Sequence, residues 1–232
     1  MIRATLICAR LNIRRLLRGR SAWLVLLLML MPILASAWPA GAGGAQDRFA
    51  AAVESVLRFL INLSAAVLLA GAVRDELEGK TYAYLWSRPF ARPALLLGKL
   101  VAVAPSLAVV STLSLVVAAL ISDAPLTALL RSIGAAALAS VAASAVALGV
   151  AAAWPRHAMS LALFVLVLVE QVAWFIPKAN QATVLFHSRV VAGLSTDPEL
   201  GVASSALTIG VLAAAWLSLG IMRVMGHEET SG

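Results

Sequence analysis

The chain has 232 residues, of which 62% are hydrophobic and 12% are charged, and its net charge is +7. An ordinary soluble domain is about half apolar and about a quarter charged, so this composition excludes a typical water-soluble fold. The cations stand between apolar runs rather than along a polar surface, which argues against a nucleic-acid binder and favours topology signals. The single cysteine, Cys8, excludes an intrachain disulfide.

Residues 2–20 combine apolar and arginine positions at helical spacing. This pattern predicts an amphipathic helix lying on the inner membrane surface. The alternative is a basic extension that only fixes topology. After the first apolar run, Ala35-Ser36-Ala37 imitates a signal-peptidase site, but the long, patterned basic segment favours a retained span.

Six apolar runs follow, and each is long enough to cross about 30 Å of hydrocarbon as a helix. A helix satisfies its own backbone polar groups, as lipid requires. The sequence therefore predicts an all-α, polytopic membrane protein with six transmembrane helices in a single domain. The predicted spans are 21–38, 51–73, 100–121, 133–153, 158–177 and 203–222.

The distribution of Lys and Arg predicts the orientation. If the N-terminus is inside, 13 of the 18 cations fall in cytoplasmic segments, as the positive-inside rule requires. The remaining five, Arg48, Arg58, Arg131, Lys178 and Arg189, fall in outer segments. We therefore expect both termini on the cytoplasmic side of the membrane, which we expect to be a bacterial-type plasma membrane.

The fourth run consists largely of small residues. Ala135, Ala139 and Ala143 recur at every fourth position, a spacing that allows close approach of helix backbones. We expect this span to lie inside the bundle.

The longest inner loop, 74–99, carries charged and aromatic residues. Acidic residues early in its first half suit a helix N-terminus, and Pro89 and Pro93 are expected to stop that helix. A charged, aromatic loop that contains a short helix and a proline turn is suited to docking a partner protein.

At these residues the chain resembles the permeases of type-2 ABC exporters, the ABC-2 family. The family pattern reads approximately E-G-T, then L-x-S-x-P-x-x-R, then G-K at the entry to the third span. Lys80 stands where the family usually has Thr, and Thr81 follows. The matching residues are Glu78, Gly79, Leu85, Ser87, Pro89, Arg92, Gly98 and Lys99.

The resemblance implies that the loop 74–99 forms a coupling helix docked on a separate ATP-binding subunit. It also implies two copies of that subunit, a second permease chain, identical or related, and a re-entrant outer segment at 178–202. The alternative is a solvated loop whose charges only obey the positive-inside rule. The expected ATPase contacts are Glu78, Gly79, Lys80, Thr81, Tyr84, Leu85, Ser87, Arg88, Pro89 and Arg92.

The chain lacks a phosphate-binding loop of the form G-x-x-x-x-G-K-[ST]. Its two Gly-Lys pairs, Gly79-Lys80 and Gly98-Lys99, have Arg74 and Pro93 at the place of the first glycine. We therefore expect no cofactor in this chain and no ATPase activity, with ATP and Mg bound by the partner.

Glu170 and Gln171 interrupt the apolar fifth span. A carboxylate in lipid is expected to face the bundle interior, to pair with a cation or to become protonated. The candidate cations are Arg58, Arg131 and Lys178. One hypothesis places Glu170, Gln171, Arg58 and Asn62 on a substrate path or gate, and the other is a structural ion pair or hydrogen bond.

The three histidines lack the spacing of a metal site. An intramembrane serine protease would need a histidine base at membrane depth, whereas His157 and His187 are predicted in loops. A third reading is a membrane scaffold that has the ABC-2 fold but does not transport.

Overall fold

A computed structural model describes residues 5, 9–13, 20–37, 44–71, 92–173, 175–176, 178–195 and 200–226. Within those ranges the chain forms helices joined by turns, with no β-strand. The prediction of an all-α fold is confirmed for this part of the chain. The described helices are α1 (Arg20–Ala37), α2 (Ala45–Ala70), α3 (Arg92–Ser122), α4 (Leu126–Ala153), α5 (Pro155–Ala173, opening with a 3₁₀ turn), α6 (Val184–Ala192) and α7 (Val202–Gly226).

Five of these helices, α2, α3, α4, α5 and α7, are long and apolar enough to cross a membrane. The apolar stretch of α1, Trp23–Ala37, is shorter. Several helices that could cross a membrane are thus present. The sixth span, the inner-surface location of residues 2–20 and the orientation stay predictions.

Two helices begin earlier than the sequence predicts. α2 starts at Ala45, where Asp47 Oδ2 accepts a hydrogen bond from the Gly44 backbone N–H at 3.1 Å. α3 starts at Arg92, within the segment 74–99 that the sequence predicts as the inner loop. Pro93 does not stop this helix because a proline in the first turn lacks an N–H that would have no intrahelical partner there.

α4 is the central helix, and it packs against α3, α6 and α7. Ala135, Ala139 and Ala143 are all buried, which confirms that this small-residue face lies in the core. Near its last turn α4 crosses α7 very closely, with Gly149 lying against the backbone of Trp216.

α6 is a short helix between α5 and α7 that packs mainly on α4 and α7. Thr183 caps its first turn, because Thr183 Oγ1 accepts from the Phe186 backbone N–H at 3.2 Å. Gly193 ends it in a left-handed conformation with φ of 79°, which glycine adopts without steric strain. Nearly all of its residues are buried.

The order of the helices defines two ends of the bundle. The chain leaves α2 and enters α3 at the loop end, and it leaves α5 and enters α6 at the far end. The α3–α4 turn at Asp123 and the start of α2 also lie at the far end. The segment 72–91 itself lies outside the described residues.

Candidate functional site

Polar side chains from α2, α5 and α6 meet toward the far end of the bundle. We call this group the polar cluster. It contains two carboxylates, two guanidinium groups and two amides in otherwise apolar surroundings. Its members are Glu54, Arg58, Asn62, Glu170, Gln171 and Arg189.

α2 contributes Glu54, Arg58 and Asn62, which are spaced four residues apart. The helix is π-helical over Val56–Leu60, around Arg58. Such wider turns change the direction of the side chains that follow, and they are frequent at functional sites. The result is a polar stripe on a helix whose other buried residues are mostly apolar.

Glu54 joins both arginines of the cluster. Its Oε2 lies 2.8 Å from Arg58 Nε, and its Oε1 lies 2.6 Å from Arg189 Nη2. Burial lowers the pKa of the Arg189 guanidinium, an effect that Glu54 opposes and Arg58 reinforces. Arginine nevertheless remains charged because its ordinary pKa is above about 12. Glu54 therefore ties α6 to α2 through its charge-assisted contact with Arg189, while its contact with Arg58 lies within α2.

α5 contributes Glu170 and Gln171, directly after a π-helical segment at Phe164–Val169. Gln171 Oε1 accepts from Arg58 Nη1 at 3.2 Å. Glu170 Oε2 accepts from Asn62 Nδ2 at 3.4 Å. Glu170 and Asn62 are both buried, so the carboxylate faces the bundle interior, as predicted.

Within the described ranges, the three candidate cations have neighbours other than Glu170. Arg58 contacts Glu54 one turn earlier in its own helix, together with Gln171. Arg131 lies near the start of α4, and it approaches Gly193. Lys178 is exposed in a turn with φ of 72°.

The start of α6, at Val184 and Leu185, lies near the Glu170 carboxyl group. The N-terminus of a helix favours a negative charge in its neighbourhood. The contact that anchors α6 to α2 is the one between Arg189 and Glu54.

The sequence identified four members of this cluster: Glu170, Gln171, Arg58 and Asn62. The structure brings all four together. It adds Glu54 and Arg189, which the prediction missed. The spacing of four residues between Glu54, Arg58 and Asn62 in a largely apolar run is a sequence signal that could have identified Glu54. Arg189 joins the cluster only because α6 is buried against the bundle.

The predicted ATPase contacts lie outside the described residues, with one exception. Arg92 is the first residue of α3. Gly98 and Lys99 follow inside the same helix, and Lys99 is buried. The chain is therefore helical from Arg92, the arginine of the family pattern, onward.

Of the two histidines predicted in loops, one lies in a turn and one in a helix. His157 lies in the 3₁₀ turn that opens α5. His187 is not in a loop: it is buried in α6, with Nε2 2.8 Å from the Gln181 carbonyl oxygen. Among the residues that the structure describes, no group of three or more His, Cys, Asp or Glu side chains could hold a metal ion.

Together these features define an all-helical, multi-pass membrane protein with a buried polar cluster toward one end. No protein-family model matches the chain, and no curated protein matches it either.

Proposed function

We propose that this chain is the membrane-spanning permease subunit of an ATP-driven ABC exporter of the ABC-2 type. The observation that carries the proposal is the loop sequence from Glu78 to Lys99, with its spaced Leu85, Ser87, Pro89 and Arg92. The chain supplies the substrate path in the plasma membrane, and a separate subunit binds ATP and Mg. The loop 74–99 is the coupling element between them.

The helices on either side of this loop support a coupling role. α2 runs up to the loop and α3 leaves it, so a force applied to the loop acts on both helices. α2 also carries Glu54, Arg58 and Asn62 of the polar cluster. From Arg58 to the last described residue before the loop, Gly71, the helix covers about 20 Å at about 1.5 Å per residue.

The proposed complex contains two permease chains, identical or related, and two ATP-binding subunits. Five or six spans are few for a complete pathway, which favours a second chain. An apolar bundle rich in small residues suits a lipid, a hydrophobic drug or a peptide, although ABC-2 relatives also move polysaccharides. Glu170, Gln171, Arg58 and Asn62 are the residues of this chain that we place at the substrate path or gate.

The test is a pair of deletions in the chain expressed in its native host. Removing residues 83–89 should leave membrane insertion intact, abolish co-purification of the ATP-binding subunit and uncouple ATP hydrolysis from transport. Shortening the predicted outer loop at 40–43 is the matched control and should retain the partner. Unchanged partner binding and transport after removal of 83–89 would refute the coupling assignment.

The same purification separates the alternatives. An ATP-binding partner without substrate-stimulated hydrolysis, or a different partner altogether, would favour an ABC-2-like scaffold. Peptide cleavage by the isolated chain would favour an intramembrane protease. The environment of His187 gives that last reading little support, because its Nε2 is engaged by a backbone carbonyl group.

A further inference from the structure

The side-chain amide of Gln171 has a hydrogen-bond partner on one side only. Its Oε1 accepts from Arg58 Nη1 at 3.2 Å. Its Nε2 is buried and has no hydrogen-bond partner among the described residues. A buried N–H donor without an acceptor is costly, so folded proteins supply that acceptor from the chain, from water or from a ligand.

Arg58 fixes the orientation of this amide. A guanidinium group only donates hydrogen bonds, so the oxygen atom of Gln171 must face it. Exchanging the amide oxygen and nitrogen would place donor against donor, which the hydrogen-bond network excludes. Nε2, with its two N–H bonds, is therefore the atom of Gln171 that faces away from Arg58.

The charges next to Gln171 favour an acceptor with negative charge. Glu54 is shared by two guanidinium groups, since its Oε2 lies 2.8 Å from Arg58 Nε and its Oε1 lies 2.6 Å from Arg189 Nη2. Both arginines keep their charge at physiological pH. A phosphate group suits such surroundings, because guanidinium groups and N–H donors stabilise its oxygen atoms. We call Glu54, Arg58 and Gln171 the α2–α5 edge.

The α2–α5 edge lies at the side of the bundle. The side chains of Arg58 and Glu54 are 27% and 23% exposed. The exposed residues beside them are apolar: Phe59 on α2, and Leu168 and Val172 on α5. Exposed apolar surface with a polar group at its border is typical of sites that contact membrane lipid.

The depth of the α2–α5 edge indicates how a ligand reaches it. Arg58 lies about 20 Å along α2 from Ala45, at about 1.5 Å per residue. The far end of the bundle is thus distant, whereas the apolar side surface is adjacent. This position favours an amphiphile that is already in the membrane over an anion that arrives from water.

We propose that the α2–α5 edge binds the phosphate head of an anionic lipid. A phosphate oxygen accepts from Gln171 Nε2 beside the Arg58 guanidinium group, and the acyl chains lie along the apolar side surface. Both side chains are partly exposed, so rotation about their side-chain bonds can turn Nε2 outward. Basic pockets between transmembrane helices bind anionic head groups in this way. The inference rests on the substrate path proposed above and names the class of molecule that enters it.

The test is native mass spectrometry of the full chain in a neutral detergent, together with any partner that co-purifies. The probes are phosphatidylglycerol, diacylglycerol with the same acyl chains but no phosphate, and glycerol 3-phosphate, which has no acyl chains. Phosphatidylglycerol should bind about tenfold more tightly than diacylglycerol, which corresponds to about 1.4 kcal/mol. Glycerol 3-phosphate at equal concentration should not displace it.

Two substitutions of Gln171 separate lipid binding from stability. Gln171→Leu removes both N–H donors and should reduce the preference for phosphatidylglycerol to less than about twofold. Gln171→Glu replaces the donors by a second carboxylate oxygen that pairs with Arg58. Its Tm should be at least that of the wild type, while the preference is lost. The matched control is Gln46→Leu, at an exposed position in the first turn of α2, and it should keep the full preference.

Equal binding of phosphatidylglycerol and diacylglycerol by the wild type would overturn the proposal. An undiminished preference in Gln171→Leu or Gln171→Glu, or its loss in Gln46→Leu, would do the same. Full displacement by glycerol 3-phosphate would indicate a site for soluble phosphate and overturn the lipid assignment. Lipid preference without an ATP-binding partner refutes the proposed function alone, whereas ATP-coupled transport without the preference refutes this inference alone.

Discussion

The close crossing of α4 and α7 gives the sharpest stability prediction. A Cβ atom added at Gly149 would lie 2.4 Å from the Trp216 carbonyl oxygen and 3.0 Å from its carbonyl carbon. From the other helix, a Cβ at Gly220 would lie 3.2 Å from Gly149 Cα. Gly149→Ala therefore forces the two helices apart, since the atoms it meets are backbone atoms.

The size of the effect follows from two opposing contributions. Overpacking a well-packed core costs about 1–3 kcal/mol, whereas replacing a helical glycine by alanine gains about 0.5–1 kcal/mol. The separation required is about 1 Å, because carbon and oxygen atoms in contact lie roughly 3.4 Å apart. We expect a net loss of about 1–2 kcal/mol in the free energy of unfolding, or roughly 3–6 °C in Tm for a chain of this size.

The control is Gly134→Ala in the same helix, where an added Cβ has nothing within 4 Å. That variant should be neutral or slightly stabilising, because it gains helix propensity without a clash. Thermal unfolding of both variants in one detergent, followed by circular dichroism, measures the difference. Equal Tm values for Gly149→Ala and Gly134→Ala would refute the close crossing.

Two further substitutions test the attachment of α6. Glu54→Gln removes the anion shared by two partly buried guanidinium groups. It should lower the free energy of unfolding by about 1–3 kcal/mol, between the values for exposed and fully buried ion pairs. The control Asp47→Asn, on the same helix, should change that free energy by less than about 0.5 kcal/mol, and similar denaturation midpoints for the two variants would contradict the ion pairs of Glu54. Thr183→Val removes the acceptor for the Phe186 N–H and should cost about 1 kcal/mol, seen as faster amide hydrogen exchange in α6. Thr208→Val, at a partly exposed position of α7, is the control for Thr183→Val and should leave exchange in α6 unchanged. Equal effects of the two substitutions would exclude capping as the cause.

Much of the fold was predictable because lipid imposes a simple rule on sequence. Runs of about 20 apolar residues must be helical, and their centres agree with the helices seen here. The buried face of α4 was also predictable, since Ala135, Ala139 and Ala143 repeat with helical spacing. Helix starts were less predictable: Arg92 and Pro93 look like a helix break, yet a proline in the first turn of a helix is compatible with it.

The polar cluster was predictable only in part, for a physical reason. Glu170 and Asn62 stand out because polar groups are rare inside apolar runs. Their partners depend on tertiary structure, and local contacts prevail over distant ones. Arg58 was a candidate partner of Glu170, but Glu54 lies one turn away on the same helix and takes that contact.

Arg189 could not be assigned from sequence because α6 is too short and too mixed in polarity to be recognised as a buried helix of the bundle. Its position follows from capping by Thr183, the left-handed Gly193 and burial against α4 and α7. In the sequence, Thr183 and Gly193 look like ordinary turn residues. The packing of α6 against α4 and α7 cannot be recognised from them.

The unequal pairing within the cluster gives α2 a particular position in the molecule. α2 holds α6 firmly through Glu54 and Arg189, but contacts Glu170 only through the long Asn62 bond. A displacement of α2 along its axis would therefore move α6 with it and strain the contact to α5 first. If the loop 74–99 transmits force to α2, that force reaches α6 through the contact between Glu54 and Arg189.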